Sequence, residues 1–125
     1  MEFKIDKNVF ANALGWVQSV VERKTTMPIL THVLLEGKGS CLTLTATDLE
    51  VTATDQVRAE VSTDGKVAVP ARQLYDIVKE LPDSIIHVKQ MENFWVQIRC
   101  AKSRYKLVGL DGNEFPKRHS TGEGK

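Results

Sequence analysis

The chain has 125 residues, of which 42% are hydrophobic and 26% charged, with a formal net charge of +1 at pH 7. That length suffices for one domain with a hydrophobic core, and the composition excludes a disordered or collagen-like chain. No apolar run approaches the roughly 20 residues that span a bilayer, and the N-terminus carries Glu2, Lys4 and Asp6 where a signal peptide would be apolar. We expect a cytoplasmic protein.

The first predicted elements are a strand at about Glu2 to Ile5 and a helix at about Lys7 to Glu22. Asp6 is placed as the N-cap of this helix, where its carboxylate accepts a free backbone N–H. One apolar stripe of the helix is formed by Phe10, Ala13, Leu14 and Val17. Gly15 costs about 1 kcal/mol relative to alanine inside a helix. Either another segment approaches the backbone there or the position is merely tolerated, and the second explanation is favoured.

Three strand-like runs follow Pro28, which disfavours helical geometry in the residue before it. They cover about Ile29 to Glu36, Cys41 to Thr47 and Glu50 to Val61. In the middle run leucines alternate with threonines, which is typical of a half-buried antiparallel strand.

The same order of elements recurs sixty-four residues later. Val67 and Val69 take the places of Phe3 and Ile5, in a strand that begins at Lys66. The helix that follows has its apolar positions at Leu74, Ile77, Val78 and Leu81.

Three more strand-like runs complete the second unit, at about Ile85 to Gln90, Phe94 to Cys100 and Ser103 to Leu110. The chain therefore contains a strand-helix-three-strand unit twice. This duplication predicts an α+β fold with two helices packed on antiparallel sheets. The stretch from Lys117 to Lys125 has no apolar side chain and is expected to be a polar tail.

Candidate catalytic and metal-binding groups are sparse. The three histidines are His32, His87 and His119. None has a Ser, Cys or acidic residue near it in a recognisable nucleophile arrangement, so structural roles are favoured. Asp48 and Glu50 would share a strand face suited to a metal ion, but turn-capping acids are the favoured explanation. Cys41 and Cys100 are expected to be small buried thiols, with a disulfide or a reactive thiol as the alternative.

Basic residues on the helices are a better candidate site. Arg72 and Lys79 are seven residues apart, nearly two turns, so their side chains share one side of the second helix. Arg23 and Lys24 lie in the turn expected after the first helix. These four would form a mildly positive surface without an aromatic residue to read bases, suited to sequence-independent contact with phosphates. A plain solvated helix face is the alternative, and two acids, Asp76 and Glu22, reduce the positive charge of this surface.

The last predicted strand alternates in charge. Lys102, Arg104 and Lys106 fall on one side, and Tyr105 and Leu107 on the other. Such a strand either protects an exposed sheet edge from aggregation or pairs with a strand of a partner. The residues favour neither explanation over the other.

Six short motifs run in order along the chain. They are Thr26-Met27-Pro28-Ile29-Leu30, Leu44-Thr45-Ala46-Thr47-Asp48-Leu49-Glu50, Val69-Pro70-Ala71-Arg72, Leu81-Pro82, Ser103-Arg104-Tyr105 and Glu114-Phe115-Pro116. Together they resemble the N-terminal domain of the bacterial sliding clamp family, the beta subunit of DNA polymerase III. The resemblance covers nearly the whole chain.

The resemblance implies a ring of two subunits, each with three similar domains, that encloses duplex DNA with helices inside and sheets outside. Residues 1–116 would be the first domain, and 117–125 a polar tail, the start of a linker or an artificial end. Lys24, Arg72 and Lys79 match basic positions that face DNA in the family.

The resemblance also implies a subunit seam and further partners. Tyr105 and Leu107 match the apolar pair at this seam, with Arg99, Lys102 and Arg104 among its cations. Polymerase and clamp loader bind the C-terminal part of such subunits, so no residue of this chain is assigned to them. No catalytic residue, metal, cofactor or membrane contact is implied.

We therefore expect one domain of a non-enzymatic DNA replication processivity factor, which encircles duplex DNA and tethers the replicative polymerase. The alternative is a strand-edge protein-protein interaction module with no DNA role, whose partner binding would not depend on the helix bases. A small hydrolase or metal enzyme is a third hypothesis.

Overall fold

The computed structural model of the protein describes residues 1–20 and 28–116, apart from the side chains of Val20 and Pro28. Two α-helices lie in these ranges, α1 (Lys7–Val17) and α2 (Ala71–Glu80). The strands are β1 (Glu2–Asp6), β2 (His32–Lys38), β3 (Cys41–Thr47), β4 (Thr52–Arg58), β5 (Glu60–Thr63), β6 (Gly65–Pro70), β7 (Ile85–Gln90), β8 (Trp95–Cys100), β9 (Ser103–Val108) and β10 (Leu110–Asp111).

The strands form two antiparallel sheets of identical plan. Sheet 1 has the order β5-β1-β7-β8-β9, and sheet 2 has the order β10-β6-β2-β3-β4. Each half of the chain places its first strand in the sheet of the other half, so that Phe3 of β1 faces Val88 of β7 and Val69 of β6 faces Val33 of β2. The duplicated unit and the two-helix, antiparallel-sheet fold are confirmed. The sequence did not predict that each first strand joins the sheet of the other half.

The core lies between the helices and the inner faces of both sheets. All four residues of the α1 stripe are buried, as are Leu74, Val78 and Leu81 of the second stripe, while Ile77 is only partly buried. Phe3 of β1 and Phe10 of α1 meet edge to face, with ring centroids 6.0 Å apart. Burying such a side chain contributes about 1.5–3 kcal/mol, so this pair fixes α1 on sheet 1.

Two predicted strands are wrong in the same way. The run from Glu50 to Val61 is divided into β4 and β5, and the run from Ser103 to Leu110 into β9 and β10, with the two parts in different sheets. Gly109 shows why the second run divides: a Cβ there would lie 2.5 Å from the carbonyl oxygen of Ala68. Only glycine allows the chain to pass this close to β6.

The predicted ends of two other elements also shift. The strand expected from Ile29 begins at His32, because Pro28–Thr31 forms a 3-10 turn. The α-helical part of α1 ends at Val17 and is followed by a 3-10 turn to Val20. The predicted end at Glu22 lies outside the described residues. The N-cap is confirmed, since Asp6 accepts hydrogen bonds from the backbone N–H groups of the second and third residues of α1.

Candidate nucleic-acid surface and subunit edge

The two helices lie side by side and antiparallel. Near the start of α1, the Asn8 amide donates to the Asp83 carboxylate, just beyond the end of α2, over 2.9 Å. Near the end of α1, a Cβ on Gly15 would lie 3.3 Å from the ring of Tyr75, in the first half of α2. The expectation that Gly15 is merely tolerated is therefore wrong, because a neighbouring side chain does approach the backbone there.

The solvent side of α2 carries both predicted bases. Arg72 and Lys79 are exposed, as their spacing predicts. The Lys79 ammonium lies 3.5 Å from a carboxylate oxygen of Asp76 and 5.2 Å from the centroid of the Tyr75 ring. Arg72 has no ion-pair partner within residues 1–20 and 28–116. The acid thus offsets one of the two positive charges, and Arg72 remains available for an anion.

The exposed residues of α1 carry no charge, and Lys7, the one charged residue of this helix, is only partly exposed. Asn12 and Trp16 are exposed, and Ser19 in the following turn donates to the backbone carbonyl of Trp16. Trp16 is 59% exposed, which corrects the expectation that the helical surface has no aromatic residue. Its position outside the apolar stripe of α1 was the signal that could have found it.

The other two predicted bases, Arg23 and Lys24, lie outside the described residues. Their expected contribution to the helical surface stays a prediction.

Strand β9 forms one edge of sheet 1 in the described part of the chain. Tyr105 pairs in register with Ile98, and Leu107 with Val96. Tyr105 is 42% exposed, whereas Leu107 is 8% exposed and belongs to the core. The tyrosine alone of this pair therefore presents a large apolar surface at the edge.

The predicted cations of this edge lie in two kinds of structure, two of them in strands and one in a turn. Arg104 lies in β9 directly opposite Arg99 of β8, and both are exposed on the outer face of sheet 1. Lys102 lies in the turn before β9, so the expected alternation of three basic residues along one strand is wrong at its first member.

Arg99 is held by a short polar chain across three strands. Its guanidinium donates to Nδ1 of His87, 2.5 Å away, and Nε2 of the same imidazole donates to the Glu2 carboxylate. The hydrogen bond from His87 holds the pKa of Glu2 below its ordinary value, with smaller contributions from nearby positive charges. This arrangement agrees with the structural role expected for the histidine, since one ring nitrogen bonds Arg99 and the other bonds Glu2.

Two of the acids and thiols weighed as chemical groups, Asp48 and Cys100, have structural partners. Asp48 caps the turn between β3 and β4 by accepting from the backbone N–H groups of Glu50 and Val51, which lowers its pKa. Turn capping is thus confirmed for Asp48. Cys100 is buried, donates weakly to the carbonyl oxygen of Pro82 and has its pKa raised by burial, whereas Cys41 is half-buried. Both thiols are free, and the described residues contain no cluster of three metal-binding side chains.

Comparison with known families decides the identity of this fold. A family model for the DNA polymerase III beta subunit, N-terminal domain, matches residues 1–119. The chain belongs to this family.

Relatives of this clamp domain agree in sequence and in structure. It is 36% identical over 124 residues to the beta sliding clamp of Caulobacter vibrioides, and 41% identical over 118 residues to that of Pseudomonas putida. The matches cover 98% and 93% of this chain, but 33% and 32% of the relatives. A crystal structure of a DNA polymerase sliding clamp from Caulobacter crescentus superposes with a TM-score of 0.93 at 36% identity, over 98% of this chain and 34% of that one.

The clamp domain therefore spans about a third of the length of the curated relatives it matches. The family and the fold inferred from the six motifs are confirmed. Neither α-helix in the described ranges has the length and apolar character needed to cross a membrane.

Proposed function

We propose that this chain is the first of three similar domains in a ring-shaped DNA replication processivity factor, with residues 1–116 as the domain and 117–125 as a polar tail or linker start. The observation that carries the proposal is the match of the entire described fold to one third of a sliding clamp. The proposed work is topological and not enzymatic. Action on chromosomal DNA would place the protein in the cytoplasm.

The helix pair is the proposed DNA-facing surface. Arg72 and Lys79 of α2 would contact phosphates, together with Arg23 and Lys24. A sliding ring needs weak, water-mediated contacts rather than a tight grip. Within the described residues of the helix pair, the Arg72 guanidinium without an ion-pair partner and the Lys79–Asp76 pair suit this requirement. We expect binding that is independent of sequence and sensitive to salt.

The test is duplex binding by this chain as a function of salt concentration. Arg72→Ala should weaken binding and reduce the slope of log affinity against log salt by about one, since each phosphate contact releases about one counterion. Lys79→Ala should do less, because Asp76 already offsets its charge.

A matched control uses Lys38, an exposed base at the end of β2 rather than on a helix. Lys38→Ala should leave the salt slope unchanged. Binding that does not fall with added salt, or that responds equally to all three substitutions, would contradict the DNA-facing assignment.

The edge strand β9 is the proposed contact with a second subunit in the full-length protein. Tyr105 would be the apolar anchor, Leu107 would support the strand from the core side, and Arg99, Lys102 and Arg104 would meet acids of the partner. Polymerase and clamp loader would bind a C-terminal region beyond this chain. No residue here is proposed for that contact.

The open edge of β9, with its exposed tyrosine, also favours a second candidate function, a strand-edge interaction module without a DNA role. The two functions differ in one measurable respect. Partner binding through the edge alone would be indifferent to Arg72→Ala and Lys79→Ala, and duplex DNA would not bind.

A further inference from the structure

The largest exposed aromatic surface on the helix pair belongs to Trp16. Its side chain is 59% exposed, more than that of any other large hydrophobic residue in the described part of the chain. The indole N–H has no hydrogen-bond partner among the described residues, and the ring has no aromatic or cation–π contact there. Packing within the described fold therefore does not account for this tryptophan.

The surroundings of the ring favour a polyanion. Helix α1 contains no acidic residue, and Asn12, one turn before Trp16, is exposed, with no side-chain hydrogen bond to another residue that the structure describes. The helices are antiparallel, so the end of α1 that carries Trp16 lies beside the start of α2, where Arg72 is exposed and has no ion-pair partner in the described part of the chain. An aromatic face and a guanidinium thus occupy the same end of the helix pair.

A base pair inside a duplex cannot use this aromatic face, because both faces of each base are already stacked on neighbouring bases. An unpaired base can stack on an indole, whatever its identity, while adjacent phosphates approach a basic side chain. Phosphate contact alone, as proposed for Arg72, leaves Trp16 without a function.

We propose that Trp16 is a stacking site for an unpaired base, so that the helix pair binds single-stranded DNA in addition to the duplex. The inference rests on the proposed function in one respect, that this surface faces nucleic acid. It adds single-stranded DNA as a second ligand of that surface, and Trp16 as the residue whose loss should weaken single-strand binding much more than duplex binding.

Fluorescence separates the two tryptophans of the chain. Trp95→Phe leaves Trp16 as the sole indole, and titration with an oligothymidylate of about twelve nucleotides, within the ~4–16 nucleotides of known single-strand sites, should quench its emission. The matched control is Trp16→Phe, which leaves Trp95 on the outer face of sheet 1 at 43% exposure. Its emission should not change.

Affinity gives the second readout. Trp16→Ala should weaken oligothymidylate binding roughly 5- to 150-fold, the range for loss of one stacked base, and should change duplex binding much less. Arg72→Ala should weaken both. Circular dichroism should show the same folded spectrum for all variants, since the side chain that changes is on the surface.

The possible failures are distinguishable. Salt-sensitive duplex binding that depends on Arg72, with oligothymidylate binding unaffected by Trp16→Ala, would overturn the stacking site and leave the proposed function intact. Absence of binding to either nucleic acid would overturn both. Equal loss of duplex and single-strand affinity in Trp16→Ala would show a general contact instead of base stacking, and would also overturn the inference.

Discussion

Gly15 shows how a single residue is constrained by its neighbour across the helix pair. Replacing it with alanine should raise the free energy of unfolding by about 1 kcal/mol through helix propensity. In the intact protein the new Cβ would lie 3.3 Å from the Tyr75 ring, which must move, so the gain should be smaller. We expect Gly15→Ala to stabilise the Tyr75→Ala variant by at least ~0.5 kcal/mol more than it stabilises the unmodified chain, a coupling typical of residues in contact. Denaturant unfolding of the four proteins measures it.

The control for that cycle is Val9→Ala, about 120° around α1 from Gly15. Its effect on unfolding should be the same with and without Tyr75. An equal gain in unfolding free energy from Gly15→Ala with and without Tyr75 would show that the contact carries no energy.

The sequence could not decide this point, because nothing in it shows whether a neighbouring side chain approaches the glycine. It could place Asp6 as a cap and Asp48 in a turn, since both act on backbone groups two and three residues away.

At the scale of elements, strand β9 places one residue of its apolar pair at the sheet edge and the other in the core. Tyr105 is 42% exposed at the sheet edge and Leu107 is 8% exposed in the core. In the full-length protein, Tyr105→Lys should shift dimer towards monomer with little loss of stability, as measured by light scattering and denaturant unfolding. Leu107→Lys should lower the free energy of unfolding by about 2–5 kcal/mol through loss of core packing and burial of a charge.

The matched control for the edge is Val108→Lys, which alters an exposed residue of the same strand on its outer face. It should change neither mass nor stability appreciably. A dimer that keeps its mass with Tyr105→Lys would contradict the proposed subunit contact.

The elements that the sequence predicted well are those whose signal is local. The apolar stripes of α1 and α2 follow from helical spacing, and β7 has the predicted limits, Ile85–Gln90. The division of Glu50 to Val61 into β4 and β5 could not be predicted, because strand alternation continues when a chain leaves one sheet for another. Only the tertiary contact reveals the change, as Val61 of β5 does by pairing with Phe3 of β1 in sheet 1.

At the scale of the whole molecule, the exchange of β1 and β6 makes the two halves interdependent. Strand β1 lies between β5 of its own half and β7 of the other, and β6 lies between β10 and β2. A fragment of residues 1–64 would lose the partner of β1 at Val88, and a fragment of residues 65–125 would lose that of β6 at Val33. Each fragment would also expose the face of its helix that packs against the other.

We therefore expect neither half to fold alone, although the sequence repeat suggests two independent units. Each fragment should lack a cooperative thermal transition by circular dichroism, because the entropy of ordering the chain exceeds what half a core contributes. Mixing the two should restore the transition, since the inter-strand registers need no covalent link between Asp64 and Gly65. A fragment of residues 1–64 that unfolds cooperatively without its counterpart would show that strand exchange is not needed for stability. The repeat would then describe two domains and not one.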